Sequence, residues 1–189
     1  FNNFGSFTYD NMDNHLGWLG GNALPPTFVN YMESIYVGYR FYETAAVEGL
    51  IDYDSTVLYP FGYGLSYTSF TQEMGQIAEN NGVISVDVTV TNTGSVAGKD
   101  VVEIYHNPPY TNGGIEKAST NLIAFDKTDV LEPGASQTLT LTFNVEDMAS
   151  YDEKGAGCYV LEAGDYIISL NSDAHTVIDS QTYTVPADI

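Results

Sequence analysis

The chain has 189 residues, enough for one sizeable core, and 43% of them are hydrophobic, as suits a globular protein. Five Lys and Arg against 25 Asp and Glu give a formal net charge of −20 at pH 7, a field that repels nucleic acid and anionic membranes and favours a neutral partner or substrate. The single cysteine, Cys158, excludes an internal disulfide framework and reads as a small core residue, and no run approaches the ~20 apolar residues of a membrane span.

Residues 1 to about 57 read as irregular. The stretch NMDNHLGWLGGNALPP, Asn11–Pro26, is rich in Asn, Gly and Pro, which favour turns over element interiors. Trp18, the only tryptophan, stands among its glycines. Such a ring stacks on a sugar face or packs against a neighbouring domain, the second being its commoner use. In ESIYVGYRFYETAAVEG, Glu33–Gly49, the residues Ile35, Tyr39, Tyr42 and Ala46 recur at three- or four-residue spacing. They predict a short amphipathic helix stopped at Gly49. Arg40, the sole arginine, lies among rings and is expected to pair with a carboxylate at a domain seam. Too few apolar residues occur here for an independent core, so this half is expected to lean on another surface.

The next stretch, LYPFGYGLSYTSF, sets the rings of Tyr59, Phe61, Tyr63, Tyr67 and Phe70 among Pro60, Gly62 and Gly64. Rings interleaved with glycine suggest backbone passing close to another packed surface, a buried junction and not a solvated linker.

From Phe70 the pattern turns to period two. VISVDVTVTNTG alternates Val83, Ser85, Asp87 and Thr89 against Ile84, Val86, Val88 and Val90, and stops at the turn signal Asn92-Thr93-Gly94. DVVEIYHNPP is a strand stopped by Pro108 and Pro109. NLIAFDKTDVLEPGASQTLTLTF supplies two more around Glu132-Pro133-Gly134, the second with Leu139, Leu141 and Phe143 on one face. GCYVLEAGDYIISLNSDAH and TVIDSQTYTV complete about seven strands. The chain is therefore read as mainly β: an immunoglobulin-like or fibronectin type III-like antiparallel sandwich, preceded by an irregular segment with a short helix. Alternation assigns Val86, Val88, Val102, Ile104, Leu139, Leu141, Ile167 and Leu170 to its core.

Few motifs carry chemistry. His15, His106 and His175 have none of the short spacings of a metal helix or finger, so no metal site is read. DMASYDEKG clusters oxygens without a calcium-loop register and reads as a solvated turn. Ser66 lacks the flanks of a nucleophile elbow, and no phosphate loop is present.

At YPFGYGLSYT the sequence resembles glycoside hydrolase family 3, the β-glucosidase and β-xylosidase family, where such a string joins an α/β sandwich domain to a fibronectin type III-like domain. IYVGYRFYET resembles the segment before that junction. VTVTNTGSVAGKDVVEIYHNPP, LEPGASQTLTLTF and GDYIISLNSDAH resemble successive strands of the terminal module. The resemblance implies that residues 1–65 are the tail of the α/β sandwich domain with the junction, and residues 66–189 the fibronectin type III-like domain. Tyr59, Phe61, Tyr63 and Tyr67, with Arg40, would then be structural residues of the seam.

The family cleaves terminal β-glycosidic bonds with retention, using an Asp nucleophile on a barrel and a Glu acid/base from a loop of the α/β sandwich domain, carboxyls about 5–5.5 Å apart. Neither segment is recognisable here. Asp87, Asp147, Asp152 and Glu153 read as solvated, so no catalytic residue and no cofactor is assigned. The expected role is a non-catalytic portion bracing the catalytic domains of a β-glucosidase that acts on a neutral β-linked glucoside or oligosaccharide. Its partners would be the remaining domains of the parent. The tail SDAHTVIDSQTYTVPADI most resembles members in which the barrel follows the β-sandwich, so a middle piece of a permuted enzyme is expected. The alternative is a free-standing module that binds carbohydrate or mediates adhesion.

Overall fold

The computed structural model describes residues 33–189; Trp18 and His15 lie outside the described residues. Its strands follow the period-two runs. β1 (Phe70–Met74), β2 (Ala78–Asn80), β3 (Val83–Asn92) and β6 (Ser136–Asn144) form one antiparallel sheet, in which β1 and β2 share one edge of β3 and β6 holds the other. β4 (Val101–Asn107), β5 (Asn121–Lys127), β9 (Gly164–Asn171) and β10 (Val177–Val185) form the second, in the order β10-β9-β4-β5. β7 (Ser150–Tyr151) and β8 (Tyr159–Val160) make a separate small hairpin. The expected antiparallel β-sandwich is what the chain forms.

The core lies between the two sheets. Ile84, Val86, Val88 and Val90 of β3 and Leu139, Leu141 and Phe143 of β6 meet Val102 and Ile104 of β4 and Tyr166, Ile168 and Leu170 of β9. Turn chemistry fixes the registers. Asn81 and Gly82, both with positive φ (53° and 80°), form the two-residue Asn-Gly connection from β2 to β3, whose twist matches the strands. Asn92 is fully buried at the end of β3. Its amide donates to the carbonyls of Val96 (2.9 Å) and Leu131 (2.8 Å), and its Oδ1 accepts from Thr68 Oγ1 (2.8 Å) and the Gly94 N–H (3.0 Å). Every hydrogen-bonding group of that side chain is used, so it ties three loops without an orphaned polar atom.

Ahead of the sandwich stand α1 (Tyr39–Val47) and the one-turn α2 (Tyr53–Thr56). The helix is shorter than its periodicity suggests: Gly38, at φ 62°, is its N-cap, and Glu33–Val37 lie outside it. It ends as expected at Gly49. The Gly49 and Leu50 N–H groups donate back to the carbonyls of Ala46 (3.0 Å) and Ala45 (2.8 Å), a Schellman closure. Gly38–Ile189 form one compact unit.

Two core assignments need correction. Ile167 is 37% exposed, and its neighbours Tyr166 and Ile168 face the core instead. Adjacent isoleucines carry no alternation of their own, so the pattern there leaves the phase of the strand open. Cys158 is exposed. It ends the loop between β7 and β8, where Asp152 accepts the N–H groups of Gly155 (2.8 Å) and Ala156 (2.7 Å), and the loop closes on itself without reaching the core.

Candidate functional site

Part of the outer face of the second sheet is covered. Strand alternation points Glu103 and Tyr105 of β4, and Ser169 and Asn171 of β9, away from the core, yet all four are buried. The cover is the segment from α1 to residue 64. Tyr39 of α1 stacks on Phe61 (centroids 4.6 Å apart) and meets Tyr105 edge-on (6.1 Å), while its hydroxyl accepts the Leu122 N–H (2.8 Å). Thr44 Oγ1 accepts the Ser119 N–H (3.0 Å), and the Phe61 carbonyl accepts that of Ala174 (2.8 Å). We call residues 57–69, which cross this face to reach β1, the strap.

Gly62 is the closest approach. Its φ is +88°, and a Cβ there would lie 2.7 Å from Glu103 Oε1. No side chain fits between strap and sheet at this point. Beneath it Glu103 accepts a hydrogen bond from the Tyr105 hydroxyl (2.8 Å). Burial, with Asp173 and Asp100 nearby, raises the Glu103 carboxyl above its ordinary range against the opposing pull of that donor. The Tyr105 hydroxyl is raised in turn by burial and by Glu103.

A second polar group closes the seam beside it. Glu43 of α1, nearly fully buried, meets His175 Nδ1 at 2.9 Å. The His175 ring lies flat on Tyr53 of α2, centroids 3.6 Å apart and planes within 5°. Burial, then the hydrogen bond and charge of Glu43, raise the Tyr53 hydroxyl. Asp173 Oδ1 accepts the N–H groups of His175 (2.9 Å) and Thr176 (2.8 Å), which fixes the turn that presents the imidazole. Chemically the group can hold the segment 38–64 on the sheet. Among the described residues no cluster of three or more His, Cys, Asp or Glu is arranged to hold a metal ion.

The residues singled out from sequence fall around this seam. Phe61 joins it through Tyr39. Tyr59 and Tyr63 contact each other (5.1 Å) and are 65% and 48% exposed, and Tyr67 is 99% exposed. Arg40 Nε is buried without a hydrogen-bond partner among the described residues, and its charge joins burial in depressing His106 to about 4. The alternation signal missed Glu43, Tyr53, Glu103, Tyr105, Asp173 and His175. The one available hint was a carboxylate inside the apolar run VVEIY.

Residues 100–174 match the fibronectin type III-like domain family. β-Glucosidase A of Butyrivibrio fibrisolvens is 38% identical over 181 residues, spanning 86% of this chain and 21% of that protein. The β-glucosidase of Ruminococcus albus is 39% identical over 159 residues, 82% of this chain and 16% of its own length. Among solved structures, β-glucosidase 3B from Thermotoga neapolitana in complex with glucose gives a TM-score of 0.72 at 34% identity, covering 84% of this chain and 20% of that one. The GH3 β-glucosidase of Bifidobacterium adolescentis gives 0.72 at 28% identity, over 92% and 24%. The chain spans only 16–21% of the length of the two sequence relatives.

Proposed function

We propose, for a chain that belongs with the family 3 β-glucosidases and carries their fibronectin type III-like domain, that it is the non-catalytic brace of a longer enzyme. The observation that carries this reading is the extent of the likeness: it runs through 86% of the chain yet reaches only 21% of the relative. On this reading residues 1–65 belong to the tail of an α/β sandwich domain and the junction, and residues 66–189 to the terminal module. The parent hydrolyses terminal β-glucosidic bonds with retention, the nucleophile and the acid/base lying in segments beyond this chain, the barrel following Ile189.

The carboxylates present support inactivity of the piece alone. Asp87 accepts from Thr140 (2.5 Å), Asp147 from the Asn144 N–H (2.9 Å) and Asp152 from its own loop. Glu103 lies under Gly62, with no room for a sugar between them. Tyr59, Tyr63 and Tyr67, exposed in the described residues, are the rings that the neighbouring domain covers, and Arg40 meets a carboxylate there.

The test is an aryl β-glucoside assay on the purified chain and on the same chain expressed with its flanking sequence. Turnover should appear only in the longer polypeptide. Turnover by the chain alone, abolished by changing one of its own carboxylates, would overturn the reading. So would tight binding of glucan by the isolated chain, which is the behaviour of a free-standing module.

A further inference from the structure

Glu103 presents an imbalance. The residue is 8% exposed, its side-chain donor among the described residues is the Tyr105 hydroxyl at 2.8 Å, and it lies beneath a strap residue that brings it no charge. Asp100, just before β4, and Asp173, in the turn between β9 and β10, are the charged groups that act on it, and both are acidic. From α1 the Tyr39 hydroxyl acts on Tyr105 and accepts the Leu122 N–H. Among the described residues Glu103 is in no ion pair; those pairs are Lys117–Glu162 and Glu43–His175. A buried carboxylate without a cation is costly, and the least costly remedy is a proton.

We propose that docking of the strap on the second sheet takes up a proton at Glu103, so that this contact is a proton-linked latch between the strap and the sandwich. With the strap lifted, water reaches Glu103 and solvates its charge. With the strap down, Gly62 excludes that water and the neutral acid is the form that fits. A proton on Oε1 leaves Oε2 free to go on accepting from Tyr105. The sign follows from linkage: the docked state binds the proton more tightly than the open state. Docking is therefore firmest below the ordinary Glu range and weakens as pH rises through the raised value of the docked state. The Glu43–His175 contact stands beside it as the other polar group of the seam. Glu103 is distinguished by standing directly under the strap.

The reporter is the Ala174 amide, which is bonded to the Phe61 carbonyl of the strap. Its hydrogen exchange in the whole chain gives the strap's opening constant at each pH after correction for intrinsic base catalysis. The opening constant should rise with pH, by no more than about tenfold per unit, the ceiling for one proton. Glu103→Gln keeps the shape and an acceptor for Tyr105, and should remove that rise. His175→Gln should leave most of it in place. The ¹³C shift of the Glu103 carboxyl should titrate over the same range. A wild-type opening constant independent of pH would overturn the latch, as would an unchanged rise in Glu103→Gln. Loss of the rise in His175→Gln would assign it to the neighbouring pair and also overturn it. If Glu103→Gln fails to fold, the carboxyl titration alone decides: a Glu103 that titrates in the ordinary range refutes the proposal.

Discussion

Gly62 and Gly64 stand two residues apart in the same aromatic stretch, and the structure gives them opposite sensitivities. Gly62→Ala forces an L residue to φ +88°, which costs about 1–2 kcal/mol from the Cβ–carbonyl clash alone. The new methyl also lands on Glu103, 2.7 Å from Oε1 and 2.9 Å from Cδ. The carboxyl group yields only by leaving the Tyr105 hydroxyl, and a hydrogen bond of that kind contributes about 1–3 kcal/mol. The combined effect is on the order of 2–5 kcal/mol, falling on the strap and not on the distant sandwich core.

Gly64 has neither problem: its φ is not positive and nothing lies within 4 Å of a Cβ there. Gly64→Ala should be neutral or stabilise by about 0.4–1 kcal/mol through the unfolded chain. Exchange at Ala174 reads the difference, since its bond to Phe61 breaks when the strap lifts. Gly62→Ala should speed it by roughly 30- to 5000-fold at a pH where exchange follows the opening equilibrium. Adding Glu103→Ala should restore the collision's share and leave the φ penalty in place. Gly62→Ala with Ala174 protection within about threefold of wild type, or equal harm from Gly64→Ala, would refute the close approach.

Leu141, 4% exposed between the sheets, should cost about 2–5 kcal/mol as Ala, read from urea midpoints at constant slope. His106 is buried, with its acidity held at about 4, so the folded state disfavours its proton; stability should fall between pH 6.5 and 4 by up to about 3 kcal/mol, and His106→Leu should flatten that limb. The exposed Cys158 should react with a thiol reagent in the native protein as fast as in the unfolded one, whereas a core thiol would wait for unfolding.

The sandwich was legible because one covered face per strand writes a period of two into the sequence. Where that premise held, as in Ile84–Val90 and Leu139–Phe143, every inward residue was assigned correctly. Elements of two to four residues, α2, β2, β7 and β8, are shorter than the window in which a period shows. Tyr166-Ile167-Ile168 is apolar on both phases, and only the pairing of Ile168 with His106 on β4 decides which isoleucine turns inward.

The seam was illegible for a different reason. In VVEIY the alternation places Val102 and Ile104 inward and Glu103 and Tyr105 outward, and outward ordinarily means solvated. Here a strap from forty residues earlier in the chain covers that face, and β4 records it only as a carboxylate inside an apolar run. Once covered, outward polar groups need local partners, and some find them: Tyr105 donates to Glu103, Glu43 meets His175, and the Ala174 N–H finds Phe61, while Ser169 Oγ and Asn171 Oδ1 are buried without a hydrogen-bond partner among the described residues. The signature of such a second interface is therefore a polar residue whose partners are supplied by another segment, together with a glycine where that segment comes too close for a side chain. Gly62 is the part of this that the sequence did display. Its setting among rings marked a close approach before the surface it approaches was known.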